Sequence, residues 1–344
     1  MKKLFFIQAV LLLLFTSISV AQVAKSGYRI ANMIHMEGNG SYDYLTMDNA
    51  TSRLYISHGN IVQVLDVKEK KIVGTIPDTK GVHGIALAKD LHKGFISNGR
   101  DTSVTVFDLK TLQVITKIKV TGNNPDAILY DIFSHKVFTF NGRSSNATVI
   151  DPNTNTVIGT IQLPGKPEFS VTDEKGKIYV NIEDKSQICV INPVTLKVEK
   201  TWSISPGEEP SGLAIDIKNH LLFSVCGNKR MIVTDADNGM VVAKLDIGDN
   251  VDGVAFDPFL KRIYSSNGEG TMTVIQEINR DSFQMMENFP TRKGARTITI
   301  NPETHRIYLP VAEFEDVSPV TKENPHPRPS IKANTFTILE IEPM

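Results

Sequence analysis

Short runs of alternating apolar and polar residues, separated by turns, follow one another from about residue 40 to residue 310. Residues 137–163, VFTFNGRSSNATVIDPNTNTVIGTIQL, contain one full unit of this pattern: two alternating runs, a turn and another run. A side-chain alternation of period two predicts β-strands. Units of 40 to 45 residues with four short strands predict propeller blades, because a single blade cannot bury both faces of its sheet.

Three columns of residues keep this spacing through seven units. The aromatic column is Tyr55, Phe95, Phe138, Tyr179, Phe223, Tyr264 and Tyr308. An opening column precedes it, with Asp48, Ala88, Asp131, Asp173, Asp216, Asp257 and Asn301. A closing column ends the next strand, with Asp66, Asp108, Asp151, Asn192, Asp235, Gln276 and Glu340. The sequence therefore predicts an all-β fold, a seven-bladed β-propeller with four antiparallel strands per blade, as one domain over residues 22–344.

The run 28–36, YRIANMIHM, precedes the first unit and belongs to none of the following blades. Six units have an outer strand after the closing column, at residues 72–76, 114–120, 157–163, 198–204, 241–247 and 283–289. The seventh unit has no such strand before Met344. We therefore expect residues 28–36 to be the outer strand of the last blade, which closes the ring and removes an exposed sheet edge.

The seventh unit contains an insertion. Tyr308 and Glu340 lie 32 residues apart, whereas the other six units need 11 to 13. The additional residues, about 313–332, fall between the second and third strands and include Pro319, Pro325, Pro327 and Pro329. Prolines disfavour a helix or a central strand, so this segment is predicted to be a loop. Such a loop can carry a binding site, and a passive excursion is the alternative.

Residues 137–163 and the loop phrases LPGKP at 163–167 and SPGEEP at 205–210 resemble the YVTN family of β-propeller repeats, the YncE-like proteins. The similarity covers about residues 40 to 310. It implies a seven-bladed propeller that is usually extracytoplasmic and mostly lacks an assigned reaction. Nucleic-acid binding is associated with some YncE-like relatives. The chain departs from the family in the turn after the first strand, where the usual Pro-Asp-Gly is largely replaced, for instance by DIFSH at 131–135.

The first residues have the pattern of a secretory signal. Lys2 and Lys3 precede an apolar stretch over residues 4–15, and Ser19 and Ala21 are small residues at the positions that a signal peptidase reads. We predict a signal peptide over residues 1–21 and a periplasmic or extracellular protein. The apolar stretch is too short for a spanning helix and no cysteine follows it, so neither a membrane span nor a lipid anchor is expected.

Charge and cysteine content narrow the function only slightly. The formal net charge is −1, and it becomes −3 without the two signal lysines, which disfavours a nucleic-acid partner. Cys189 and Cys226 fall in apolar surroundings on neighbouring blades. An oxidising compartment permits a disulfide between them, but the surroundings favour two buried thiols packed as small hydrophobes.

Candidate binding residues lie five positions before the opening column, where each innermost strand begins. We call this set the channel mouth: Asp43, His83, Asp126, Glu168, Ser211, Asp252 and Arg296. Four carboxylates and a histidine around one axis can hold a hard cation such as Ca²⁺ or Mg²⁺, with Asp126, Glu168 and Asp252 as metal candidates. Solvated carboxylates, or carboxylates paired with a neighbour such as Arg296, are the alternative. No other cofactor is expected.

Two further sets of polar residues recur in loops. Basic residues, which we call the basic loop tips, occupy the loops between strands two and three: Arg100, Arg143, Lys185, Lys229 and Arg230. They suit a polyanionic ligand or an acidic protein surface, or are the ordinary charged tips of a soluble protein. Four histidines fall four residues after the opening column, at His92, His135, His220 and His305. Since they lie on separate blades, we interpret them as turn residues.

The sequence thus favours a binding or scaffold module, monomeric, which recognises a protein or a small or polyanionic ligand on the channel-mouth face. The alternative is a metal-assisted hydrolase of the lactonase type that uses the acidic residues of the channel mouth. No Ser/His/Asp or Cys/His arrangement indicates another reaction.

Overall fold

The structure, a computed structural model, describes residues 27–317 and 329–344. Within these ranges the chain forms seven four-stranded antiparallel sheets, which confirms the predicted seven-bladed β-propeller. The predicted outer strands of the first six blades agree with the structure to within one residue at each end. The predicted signal peptide, residues 1–21, lies outside the described residues.

Six blades follow the chain order, with the innermost strand first. Their strands are β2 (Tyr42–Asp48), β3 (Arg53–His58), β4 (Ile61–Asp66) and β5 (Lys71–Ile76) in blade one; β6 (Val82–Ala88), β7 (Lys93–Asn98), β8 (Ser103–Asp108) and β9 (Val114–Lys119) in blade two; β10 (Pro125–Asp131), β11 (Lys136–Asn141), β12 (Asn146–Asp151) and β13 (Thr156–Gln162) in blade three; β14 (Pro167–Thr172), β15 (Ile178–Ile182), β16 (Gln187–Asn192) and β17 (Lys197–Ser203) in blade four; β18 (Pro210–Asp216), β19 (Leu221–Cys226), β20 (Arg230–Asp235) and β21 (Val241–Asp246) in blade five; β22 (Val251–Asp257), β23 (Arg262–Asn267), β24 (Thr271–Asn279) and β25 (Ser282–Pro290) in blade six.

The seventh blade joins both ends of the described chain. Its strand order is β26 (Thr299–Asn301), β27 (Arg306–Val311), β28 (Thr337–Pro343) and β1 (Tyr28–His35). Short 3-10 helices span Lys89–Leu91 and Glu183–Lys185, and among the described residues no helix is long and apolar enough to cross a membrane.

Strand β1 closes the ring as the sequence predicts. It pairs antiparallel with β28 from Tyr28 opposite Pro343 to His35 opposite Thr337. The Tyr28 hydroxyl lies 2.5 Å from that of Tyr264 on blade six, and Arg29 forms an ion pair with Glu342 at 2.7 Å. Strands β1 and β28 come from opposite ends of the described chain, so their non-covalent pairing closes the ring. We call this pairing the ring seam.

The core lies between blades. Each of the seven hydrophobic clusters combines residues from two neighbouring blades. All seven members of the aromatic column are at most 1% exposed. Large side chains on the middle strands fill the space between adjacent sheets, so the blades stabilise one another by burial of apolar surface.

The histidine column lies in turns and the two cysteines are buried, as predicted. His92, His135, His220 and His305 have positive φ between 52° and 59° in the turns between strands one and two. These turns lie on the face opposite the channel mouth. Cys189 and Cys226 are buried, unpaired thiols, and burial raises the pKa of both to about 12.

A buried pair of acids, Asp216 on blade five and Glu277 on blade six, lies on the face opposite the channel mouth. Glu277 is 1% exposed and accepts a hydrogen bond from the Asn219 amide at 2.5 Å. Its other carboxylate oxygen receives no N–H or O–H donor from the described residues and faces the buried Asp216 carboxyl. Burial, followed by the charge of Asp216, raises the pKa of Glu277 to about 7.

The ends of the predicted insertion are ordered against each other. Phe314 and Ile331 form an isolated antiparallel bridge, and the Glu315 amide donates to the Ser330 carbonyl at 2.8 Å. We call residues 313–317 and 329–332 the insertion base. Residues 318–328, which include Pro319, Pro325 and Pro327, lie outside the described residues.

Candidate functional site

Six of the seven channel-mouth residues lie in irregular positions at the start of the innermost strands, and Arg296 lies three residues before β26. In β2 the register shifts between Tyr42 and Leu45, and equivalent shifts occur in the first strands of blades two to six. Such bulges turn a side chain away from the regular alternation. In blade one the Ser57 hydroxyl fills the bulge, since it accepts from the Asp43 amide at 2.9 Å and donates to the Tyr44 carbonyl at 3.0 Å.

Asp43, His83 and Asp126 form one cluster on three successive blades. His83 Nδ1 lies 2.5 Å from an Asp43 oxygen and 3.7 Å from an Asp126 oxygen. Burial lowers the pKa of His83, but the hydrogen bond to Asp43 and the charges of Asp126, Asp43 and Glu168 outweigh it and raise this pKa to about 9. His83 is therefore a cation at neutral pH, held between two carboxyl groups.

The other two acids of the channel mouth have their own cations. Lys166 contacts Glu168 at 2.8 Å and also pairs with Glu183 on the neighbouring loop. Arg296 pairs with Asp252. Burial raises the pKa of Glu168 to about 8, with a further contribution from the charge of Asp126, and it raises that of Asp252 to about 6 despite Arg296. Lys166 is a member of this network that lies outside the predicted set.

These contacts make the channel mouth a nearly compensated network. The cations His83, Lys166 and Arg296 face four carboxyl groups. Three of these, Asp126, Glu168 and Asp252, have raised pKa values of about 6, 8 and 6. Burial is the first cause in all three. The carboxyl groups of the channel mouth are thus largely neutralised near pH 7 by cations and protons.

The three metal candidates, Asp126, Glu168 and Asp252, do not form one site, because each lies beside a different cationic side chain. Among the described residues, Asp43, His83 and Asp126 form the one group of three whose ligand atoms lie within 4.8 Å of one another. Glu168 and Asp252, predicted to join Asp126, are instead bound by Lys166 and Arg296. One imidazole and two carboxylates suit a transition metal more than Ca²⁺ or Mg²⁺, and such an ion must first displace the His83 proton.

Two aromatic rings narrow the channel below the charged groups. Tyr44 and Phe169 directly follow Asp43 and Glu168, and their ring centroids are 5.3 Å apart. A cavity of only about 20 Å³ lies beside them, room for about one water molecule. Burial and the surrounding carboxylates raise the Tyr44 pKa well above its ordinary value. The channel mouth therefore has an aromatic floor, since these two rings come from blades one and four and meet across the channel.

In blades five and six a glycine directly follows the channel-mouth residue, at the position that Tyr44 and Phe169 occupy in blades one and four, and it lets neighbouring innermost strands lie close together. A Cβ added to Gly212 meets the Asp252 carbonyl at 2.8 Å, and one added to Gly253 meets the Ile298 amide at 3.0 Å. Blades five, six and seven thus pack backbone against backbone. Two aromatic residues and several glycines one place after the charged set are the signal in the sequence that indicates this floor.

The basic loop tips differ in their partners. Lys185 pairs with Asp184 at 3.4 Å, Lys229 with Asp249 at 3.0 Å, and Arg230 with Asp246 at 2.5 Å. Arg100 and Arg143 are exposed and form no ion pair with a described residue. Two of the five predicted tips therefore present an uncompensated charge on the channel-mouth face.

A larger cleft lies beside Arg296, between blades six and seven and the insertion base. Its volume is about 880 Å³, which is within the range of ligand-binding sites. Loop residues 292–296 form one side, and Val311 and the insertion base form the other. The sequence gives the elements of this blade-seven cleft, the insertion and the basic run RKGAR at 292–296, but not their proximity.

Fold and site together define a seven-bladed β-propeller with a charged, aromatic-floored channel mouth and an adjoining cleft. No protein-family model matches the chain, and no curated protein matches it. Among solved structures, a chain of hydrazine synthase from Kuenenia stuttgartiensis matches with a TM-score of 0.69 and 16% sequence identity. The match covers 87% of this chain and 98% of that chain. At this identity the similarity is one of fold alone.

Proposed function

We propose that this protein is a binding or scaffold module that recognises a protein or a small ligand on its channel-mouth face. The observation that carries the proposal is the cleft of about 880 Å³ that opens beside the channel mouth on the face that also carries Arg100 and Arg143. Loops on a rigid propeller scaffold are suited to binding, because ligand contact requires little reordering of the blades. The repeat spacing and loop phrases support placing the chain with the YVTN, YncE-like propellers.

We further propose that the chain is exported and cleaved after Ala21, and that the mature protein acts outside the cytoplasm as a monomer. The support is the charged start, the short apolar stretch and the small residues before the cleavage position. Amino-terminal sequencing of the protein purified from its native envelope fraction tests this proposal. A chain that still begins at Met1 contradicts it.

The hydrolase alternative has one observation in its favour, the proximity of Asp43, His83 and Asp126. Against it, His83 is hydrogen-bonded to Asp43 and its pKa of about 9 keeps it protonated, so it is a poor metal ligand at neutral pH. A binding function without a reaction accords better with this compensated network.

The binding face is tested with two charge-reversal variants of equal net charge. Arg100→Glu with Arg143→Glu alters the channel-mouth face, and Lys175→Glu with Lys218→Glu alters exposed turns on the opposite face. Each variant and the wild type are immobilised and used to capture proteins from the native envelope fraction. We expect the first variant to reduce specific capture and the second to leave it unchanged. Equal capture by all three, or loss only with the second variant, contradicts the proposal.

A further inference from the structure

The blade-seven cleft lies where β27 extends beyond the short innermost strand of the last blade. Strand β26 has three residues, whereas the first strands of the other blades have six or seven. It begins at Thr299 opposite Tyr308, so Pro310 and Val311 of β27 pair only with β28. Pro310, which has no N–H to donate, lies in the part of β27 that β26 does not reach.

One side of the cleft is cationic. Arg292 and Lys293 are exposed, line the cleft and form no side-chain hydrogen bond or ion pair with a described residue. Their loop is held in place by backbone contacts, because Tyr42 donates to the Gly294 carbonyl at 2.8 Å and the Gly294 amide donates to the Gly268 carbonyl at 2.8 Å. Two uncompensated cations on a fixed loop suit an anionic group.

The insertion base contributes apolar and acidic side chains to the cleft. The half-buried Phe314 ring lies against Gly294, where an added Cβ would be 2.6 Å from the ring. Val317 is 56% exposed at the cleft. Glu315 and Asp316 are exposed, and neither forms an ion pair with Arg292, Lys293 or another described residue. The cleft thus has cations on one loop, carboxylates on the insertion base, and the apolar side chains of Phe314 and Val317 next to those carboxylates.

We propose that the blade-seven cleft binds an extended peptide segment of a partner protein. An acidic side chain of the peptide contacts Arg292 and Lys293, a basic one contacts Glu315 and Asp316, and an apolar one packs on Phe314. A peptide supplies these three groups within a few residues, at roughly 3.3 Å per residue in an extended chain. This inference rests on the proposed binding function and specifies its ligand.

The test is a selection of peptides from a phage-displayed random dodecapeptide library on the wild-type chain 22–344. We expect enriched peptides that combine an acidic, an apolar and a basic residue. Arg292→Glu with Lys293→Glu should weaken their binding at least tenfold, and so should Glu315→Lys with Asp316→Lys. Lys175→Glu with Lys218→Glu is the control and should leave it unchanged. Melting temperatures equal to that of the wild type establish that the variants fold.

The outcomes separate this inference from the proposed function. If no peptide is enriched, or if enriched peptides bind both cleft variants as well as the wild type, the inference is wrong. If those peptides or captured proteins are instead lost with Arg100→Glu and Arg143→Glu, the channel-mouth face still binds, and only the cleft is wrong. If binding depends only on Lys175 and Lys218, both proposals are wrong.

Discussion

Replacement of Glu277 by glutamine tests the buried acid pair between blades five and six. Ionised Glu277 is buried opposite Asp216, so the folded state holds its proton more tightly than the unfolded chain, and the pKa is about 7 instead of 4.5. At about 1.4 kcal/mol per pKa unit, this difference corresponds to about 3 kcal/mol. Since the folded-state pKa is raised, this stability is fully present below pH 4.5 and is lost as the pH rises to about 7.

Glutamine keeps the size of the side chain, cannot ionise, and can donate its amide to Asp216. We therefore expect Glu277→Gln to match the wild type near pH 4.5 and to exceed its unfolding free energy by up to about 3 kcal/mol at pH 8. Urea unfolding of both proteins across this pH range measures the difference. Glu303→Gln, at an exposed turn on the same face, is the control and should show no such trend. A difference between wild type and Glu277→Gln that is constant with pH refutes the reasoning.

Three further predictions concern the ring seam, the channel mouth and the thiols. Deletion of residues 22–37 removes the buried side chains of Tyr28 and Met36, each of which contributes about 1.5–3 kcal/mol, and exposes the edge of β28. The melting temperature and the solubility should therefore fall. An unchanged melting temperature contradicts the closing role of β1. His83→Asn should raise the calorimetric affinity for Zn²⁺ at pH 7, because it removes the cation that compensates Asp43 and Asp126, whereas a loss of affinity identifies His83 as a ligand. Cys189 and Cys226 are buried thiols with raised pKa values, so neither should react with a thiol reagent in the native protein and both should react after denaturation. Fewer than two reactive thiols in denaturant would show that they are oxidised, which contradicts this prediction.

The sequence predicts the membership of the channel mouth better than its chemistry. Counting back five positions from the opening column finds the residues at each strand entry, because a blade repeats its backbone path with nearly constant length. It does not find Lys166, which lies in the preceding loop, and it offers pairing with Arg296 as the alternative to a metal site without identifying Asp252 as the partner. Pairing and pKa depend on distances between blades, and a single blade's sequence contains no information on those distances.

The blade-seven cleft shows the same limit. Spacing alone predicts the insertion and its position between β27 and β28, and Pro310 is visible as a proline within a strand pattern. That β26 begins only at Thr299, so that residues 309–311 pair with β28 alone, follows only when the strand is placed beside its neighbours. The loop 292–296 and the insertion base are about twenty residues apart in sequence and form one site because both lie at the same end of blade seven.

By itself the sequence determined the number of blades, the four strands of each, the buried aromatic column and the closing role of residues 28–36. These features repeat or complete a local pattern of alternation and turns, so backbone and side-chain preferences are sufficient to identify them. Only the tertiary structure decided that the acidic residues are compensated, that Tyr44 and Phe169 floor the channel, and that a charged cleft opens beside blade seven. The physical reason is that electrostatic energy and cavity shape depend on interatomic distances across the ring, which arise when separate blades pack around one axis.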